Sequence, residues 1–236
     1  MKLIMIFAIP MLSLLKSYAQ QINDPNAEQR QVKNFNGIKI SNAFDVFLSQ
    51  SSEETIAVSA SETKYRDRIK VEVKNGILNV WYDNEGKWNT GNKKLKVYIS
   101  FKNINTLEIS GACDVVINGG LRSDDLSVIL SGASDLKGKL ETKNLLIELS
   151  GASDMQVTGS AREMKIEVSG ASHFKGFELV TEVCDAEASG ASDIQITVNK
   201  ELSAQATGAS DVQYKGSGVI KELKTSGASS VSKSRS

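Results

Sequence analysis

From about residue 105 onward the chain alternates apolar and polar positions in two short runs around a glycine, and the unit recurs seven times. The glycines are Gly111, Gly132, Gly151, Gly170, Gly190, Gly208 and Gly227, separated by 21, 19, 19, 20, 18 and 19 residues. Four positions before them stand Leu107, Val128, Ile147, Ile166, Ala186, Ala204 and Leu223, and two before stand Ile109, Leu130, Leu149, Val168, Ala188, Ala206 and Thr225. Four positions after come Val115, Leu136, Met155, Phe174, Ile194, Val212 and Val231. Alternation with a period of two marks strands with one buried face. Each unit therefore predicts a strand, a tight corner, a second strand and a return loop, in which Gly119, Gly138, Gly159, Gly176 and Gly216 recur. About nineteen residues cannot enclose a core alone, so the coils must stack and bury their columns against one another, as in a β-solenoid.

The corner itself is written "SGACD", "SGASD", "SGASD", "SGASH", "SGASD", "TGASD" and "SGASS". Glycine suits a corner that needs positive φ or close backbone approach, and alanine fits a cramped interior. Ser and Asp side chains are expected to cap corner N–H groups. Upstream, "FNGIKISNAFDVFLSQ" alternates through Ile38, Ile40, Phe44, Val46 and Leu48 and reads as strands. A short helical turn is expected around "SETKYRDR", then a hairpin in "IKVEVKNGILNVWY" with Asn75-Gly76 as its type I′ turn, then a polar loop "DNEGKWNTGNKK".

The first residues carry Lys2, an apolar run Leu3–Leu15 broken by Pro10, and small Ser17 and Ala19, the pattern of a cleaved signal peptide. That run is shorter than the roughly 20 residues that span a bilayer. The expected organisation is a signal peptide at 1–19, a flexible segment at 20–30, one solenoid domain at 31–232 and a tail at 233–236. Within the domain, 31–104 form leading coils and cap, and 105–232 the regular repeats. The mature chain is expected to be exported, whether periplasmic, on the outer surface or secreted, without a transmembrane anchor, since "SKSRS" follows the last corner directly. Without Lys2 and Lys16 it holds 26 basic against 28 acidic residues, a balance that gives no footing to a nucleic-acid partner. Both prolines, Pro10 and Pro25, precede the strands, so no ladder loses a donor.

Three segments, "FNGIKISNAFDVFLSQ", "VEVKNGILNVWY" and "LKVYISFKNINTLEISGACDV", resemble in kind and order the putative auto-transporter adhesin, head GIN domain family of exported bacterial proteins, from about residue 30 onward. The resemblance implies an all-β, right-handed parallel β-helix with glycine corners, similar to pectin-lyase-like folds without their catalytic residues, and a role in adhesion.

Candidate chemistry is sparse. A serine nucleophile needs a base, and His173 is the one histidine for seven corners, so the corners are not repeated catalytic serines. Asp114, Asp135, Asp154, Asp193 and Asp211, with His173 and Ser230, form a column whose carboxylates repel at about 4.8 Å per coil. Capping in water is the simpler solution and bridging Ca²⁺ the functional one, and no metal or other cofactor is expected. His173 relieves repulsion in that column and lacks the partners of a zinc site. Trp81, Tyr82 and Trp88 flank the polar loop; Trp88 and Tyr82 are the candidates for stacking on a sugar ring. Cys113 and Cys184 fall several coils apart, too far for a disulfide; Cys184 is expected buried and Cys113 accessible. These readings point to a non-enzymatic solenoid for surface recognition or adhesion, with a surface glycan or protein as partner and self-association through exposed solenoid ends. The alternatives are a carbohydrate-active enzyme of pectin-lyase-like fold and a structural envelope spacer.

Overall fold

The computed structural model describes residues 24–84 and 92–234, so the expected leader lies outside the described residues. The leading part comprises β1 (Glu28–Arg30), β2 (Gly37–Ile40), β3 (Asp45–Gln50), β4 (Thr55–Ser59), the short helix α1 (Thr63–Arg66), β5 (Ile69–Lys74), β6 (Ile77–Tyr82) and β7 (Lys96–Phe101). The repeats follow as β8 (Thr106–Ile109), β9 (Asp114–Asn118), β10 (Leu121–Leu130), β11 (Asp135–Leu149), β12 (Asp154–Val168), β13 (His173–Ala188), β14 (Asp193–Gly208), β15 (Asp211–Lys215), β16 (Val219–Gly227) and β17 (Ser230–Lys233).

In the repeats the segments leading into the corners stack in parallel as one sheet, called A here, and those leaving the corners stack as another, B. The register advances one coil at a time, with Ile147 opposite Ile166 and Leu136 opposite Met155. The apolar columns consequently fall on top of one another inside the solenoid, where Val128, Ile147, Ile166, Ala186 and Ala204 are all buried. Several return segments are not loops. β11, for example, stays extended from the B side of its corner to the A side of the next, pairing along nearly its whole length with β12. The twenty-residue coil absorbs its extra residue as a bulge opposite Gln156–Thr158. At Gly176 a β-carbon would collide with the Phe174 ring, so one large inward side chain fills the room of two positions.

The corners are held by backbone. All seven glycines have φ between +77° and +98°. The alanine N–H after each donates to the carbonyl of the residue one coil earlier, for example Ala133 to Gly111 and Ala152 to Gly132, both at 2.7 Å. At these positions a β-carbon would press closer than 3 Å to that same carbonyl oxygen. The fourth corner position points inward: Ser134, Ser153, Ser172, Ser192 and Ser210 are wholly buried. Ser153 Oγ donates to its own coil's Ser150 carbonyl at 3.0 Å, and Ser172 Oγ accepts from the Ser153 N–H at 3.1 Å, so the hydroxyls tie successive coils together. Ser134 and Ser172 accept a corner N–H as expected of caps, whereas the Ser192 and Ser210 hydroxyls donate to carbonyls instead. The aspartates do not cap: their side chains point outward, and their backbone N–H groups instead donate to the preceding corner.

Cys113 occupies that same inward slot, which corrects the expectation of an accessible thiol. It is 1% exposed, and its Sγ lies 3.6 Å from the Asn42 carbonyl and 3.7 Å from that of Ser110. Burial pushes its thiol above the usual range. Cys184 is equally buried on the inner side of β13, burial pushing its thiol up further, and both cysteines are free.

The N-terminal third is threaded differently. An eighth corner, "SNAFD" at 41–45, has Asn42 at φ +83° in the glycine position and the buried Phe44 in the serine position. Ala112 N–H donates to the Asn42 carbonyl at 2.7 Å, so this corner is the floor for the first glycine corner. β2 lies between β6 and β8, and β3 between β7 and β9, all in parallel. The chain therefore leaves this coil, builds the coil beyond it with β6 and β7, and crosses back to continue on its other side. Gln50 fastens the crossing: its side-chain amide donates to the Lys102 and Arg122 carbonyls at 2.9 Å and accepts from the Arg122 N–H at 2.8 Å. Beyond β6 and β7 the end is closed by antiparallel strands. β5 pairs with β6 through the Asn75-Gly76 turn, both residues at positive φ, and β4 pairs with β7. Glu28–Arg30, expected to be flexible, is instead paired as β1 along β4, which supplies the backbone partners it would otherwise lack. At the opposite end β16 and β17 form the last coil, and Ile220 and Leu223, which continue buried columns, are 40% and 45% exposed.

Two outcomes follow from the corner geometry. Gly119 also has positive φ, but open space surrounds the position of its β-carbon. Gly119→Ala should cost about 1 kcal/mol from backbone strain alone. Gly151→Ala should cost about 1–3 kcal/mol more, because the stacked backbone must move. Gly227→Ala should fall between them, since it still meets the Gly208 carbonyl but sits in an edge coil free to lift. Denaturant unfolding measures all three, and equal costs at Gly119 and Gly151 would remove the close approach as a constraint. Cys113→Ser should leave stability within about 1 kcal/mol, because the hydroxyl finds the bonds its neighbours make. In the unmodified chain neither thiol should react with a thiol reagent faster than the protein unfolds.

Candidate functional site

A solenoid offers function only through its outward side chains, so the candidate site is sought where they leave a concavity. On sheet A such a groove of about 600 Å³ crosses five coils, from Asn105 and Thr106 to Val183 and Asp185. One wall is the column seven positions before the corner glycines, Asp125, Asn144, Glu163 and Val183; the other, five before, includes Ser127, Leu146, Lys165 and Asp185. Between the columns the floor is Leu126, Leu145 and Met164, each only 3% exposed. The register that stacks the core sets the wall spacing too: Asp125 lies opposite Asn144, Asn144 opposite Glu163 and Glu163 opposite Val183.

Asn144 Nδ2 donates to Asp125 Oδ1 at 2.6 Å, which fixes that amide and carboxylate relative to each other. Lys165 pairs with Glu167 at 2.6 Å. The Glu167 carboxylate holds the Lys165 ammonium above its ordinary value, with Glu187 and Asp185 adding to the effect. Toward the corners the outer face continues with Glu148, Glu167 and Glu187 in one stacked column. The face is therefore strongly acidic, a potential that repels anionic ligands and admits neutral or cationic ones.

Of the residues expected to stack on a sugar, Trp88 lies outside the described residues. Tyr82 is 4% exposed, with the Lys93 ammonium 4.9 Å and the Arg68 guanidinium 5.7 Å from its ring centroid. Its ring is packed against the N-terminal coils rather than presented to solvent. A second depression, about 510 Å³, lies beside it between Asn42, Asp45, Lys93 and Lys94. The structure does not bring Tyr82 to the sheet A groove.

The aspartate column runs farther than the motif showed, because Asp45 precedes Asp114 and Lys96 precedes Asp45. Its repulsion is relieved locally. His173 Nδ1 lies 2.8 Å from Asp154 Oδ1 and Nε2 3.5 Å from Asp193 Oδ2, and Ser230 Oγ donates to Asp211 Oδ1 at 2.6 Å. Among the described residues no three His, Cys, Asp or Glu side chains gather to hold a metal ion. The groove residues escaped the sequence reading, although the column seven before each glycine is polar in four coils: Asp125, Asn144, Glu163 and Glu201. An outward column is polar on any solenoid, and only the stacking of five coils gathers this one into a groove.

The fold is shared with solved proteins. A structure described as a putative adhesin from Bacteroides fragilis NCTC 9343 superposes with a TM-score of 0.83 at 24% identity, covering 88% of this chain and 96% of that one. One described as a putative adhesin from Parabacteroides merdae ATCC 43184 gives 0.67 at 20%, covering 89% and 95%. One described as a putative lipid binding protein from Parabacteroides distasonis ATCC 8503 gives 0.66 at 18%, covering 90% and 98%. No curated protein matches. Among the described residues no helix is long and apolar enough to cross a membrane. The model of one family matches residues 34–218, and the chain belongs to that family, described as putative auto-transporter adhesin, head GIN domain.

Proposed function

We propose that the chain is an exported, non-enzymatic recognition module and that the sheet A groove binds a neutral, hydroxyl-rich chain such as a surface glycan. The observation that carries this reading is the groove's construction. Outward Leu146 and Val183 form an apolar strip over the almost wholly buried Leu126, Leu145 and Met164, among hydroxyl, amide and carboxylate groups repeated at about 4.8 Å, so the apolar faces of successive sugars rest on that strip while their hydroxyls meet the polar side chains. Ordered stacking keeps those groups in place, so little has to be immobilised on binding. The acidic surround sets the ligand's charge rather than its identity. A lipid chain, the class in the description of the Parabacteroides distasonis protein, is a poorer match, because the exposed apolar surface of Leu146 and Val183 is narrow and open to water.

The test is a glycan array followed by calorimetry on the best hit. Binding without turnover is expected, and Asn144→Ala and Glu163→Ala should each weaken it about tenfold, the loss of one hydrogen bond to an exposed ligand. Neither change should alter folding, since both side chains are exposed. Turnover of a polysaccharide would favour the carbohydrate-active enzyme, and silence across the array the envelope spacer. Undiminished binding by both variants would move recognition off this groove.

A further inference from the structure

The last described coil ends the stack on an open strand edge that continues the parallel register of the repeats. All nine residues of β16 are exposed, and among the described residues no strand pairs with its outer edge. Val219 is 70%, Ile220 40% and Leu223 45% exposed. Ile220 lies opposite Leu202 and Leu223 opposite Ala204, so two columns buried throughout the stack surface here. A regular edge with uncovered core side chains is a template for another strand. Head-to-tail stacking would not continue the coils, because the outermost strands of the N-terminal end, β5 and β1, run antiparallel to the strands beneath them and break the parallel register there.

We infer that two copies of this chain join end to end, with β16 of one pairing antiparallel with β16 of the other about a two-fold axis through Leu223. The charges of "VIKELKTSG" select the register. Centred on Leu223, Glu222 of each copy stands opposite Lys224 of the other, the two leucines meet on the core side, and Lys221 faces Thr225. The neighbouring symmetric registers are centred on Glu222 or on Lys224, and each sets that side chain against its own copy, a like-charged pair that disfavours the pairing. Glu222 and Lys224 already form an ion pair along the strand at 2.5 Å, so both side chains lie on one face and need only turn across the junction. The segment Glu222–Gly227 is regular, the register shift in β16 falling before it at Lys221. Because the interface is isologous it closes at two copies and does not grow into a filament. A two-fold axis normal to sheet A keeps both outer faces on the same side, so, given the proposed groove, the dimer presents two grooves together.

Sedimentation of the full chain over a range of concentrations tests the inference, with no ligand present, so the result is independent of the groove. The wild type should approach twice the monomer mass. Glu222→Lys and Lys224→Glu should each weaken dimerisation at least tenfold without changing the melting temperature measured at dilutions where the wild type is monomeric, and the double exchange Glu222→Lys with Lys224→Glu should restore it. Hydrogen exchange gives a second readout: the β16 amides should become protected as wild-type concentration rises. A wild type that stays monomeric, a double exchange that fails to recover, or dimers whose β16 amides remain unprotected would each overturn the inference.

Discussion

Each corner of this solenoid brings two backbones into contact that side chains would hold apart. The N–H after the corner glycine reaches the carbonyl of the corner beneath at 2.7–2.8 Å along the repeats, with no space for a β-carbon between them. A corner hydrogen bond of this kind is worth only about 1 kcal/mol net. Its effect on geometry is larger, because it fixes the phase of each coil against the next. With the phase fixed, the apolar columns superpose, the buried serine hydroxyls meet their partners, and the outward columns that wall the groove become as regular as the core. A solenoid without this pin could shift by one residue and turn its core side chains outward.

The repeated part was legible in the sequence because a glycine at intervals of about nineteen and apolar residues two and four positions before it have few other physical explanations. The eighth corner was not. Asn42 adopts the same left-handed conformation as the glycines, which asparagine tolerates better than most residues. Phe44 stands where the motif has serine, and 69 residues separate Asn42 from Gly111. Motif and period fail together there, although "SNAFD" keeps the first, third and fifth letters. Cys113 misled for a related reason: a small polar residue in a turn suggests exposure, and only the fold shows that this position points into the core.

The groove was out of reach for a different reason. Its residues are those any strand places in water, and their grouping into one groove follows from the stacking of five coils, which no single coil shows. Tyr82 illustrates the converse. Alternation left Trp81 and Tyr82 to share one inward place, and packing decided it, burying Tyr82 beneath Arg68 and Lys93. Acidic residues around the groove would also repel one another without Lys165 among them, so that lysine has a structural use alongside any contact with a ligand.

The threading of the leading coil bears on how the chain acquires its fold. In the repeats every strand finds its partner about one period away in sequence, so closing each new coil onto the last costs little loop entropy. β2 finds β6 on one edge 40 residues later and must wait for β8, 69 residues later, on the other. Long-range contacts of this kind form slowly, whereas nearest-neighbour stacking can begin anywhere along the repeats. The central coils are thus the natural nucleus, and the N-terminal cap, although synthesised first, docks last onto a stack that already exists.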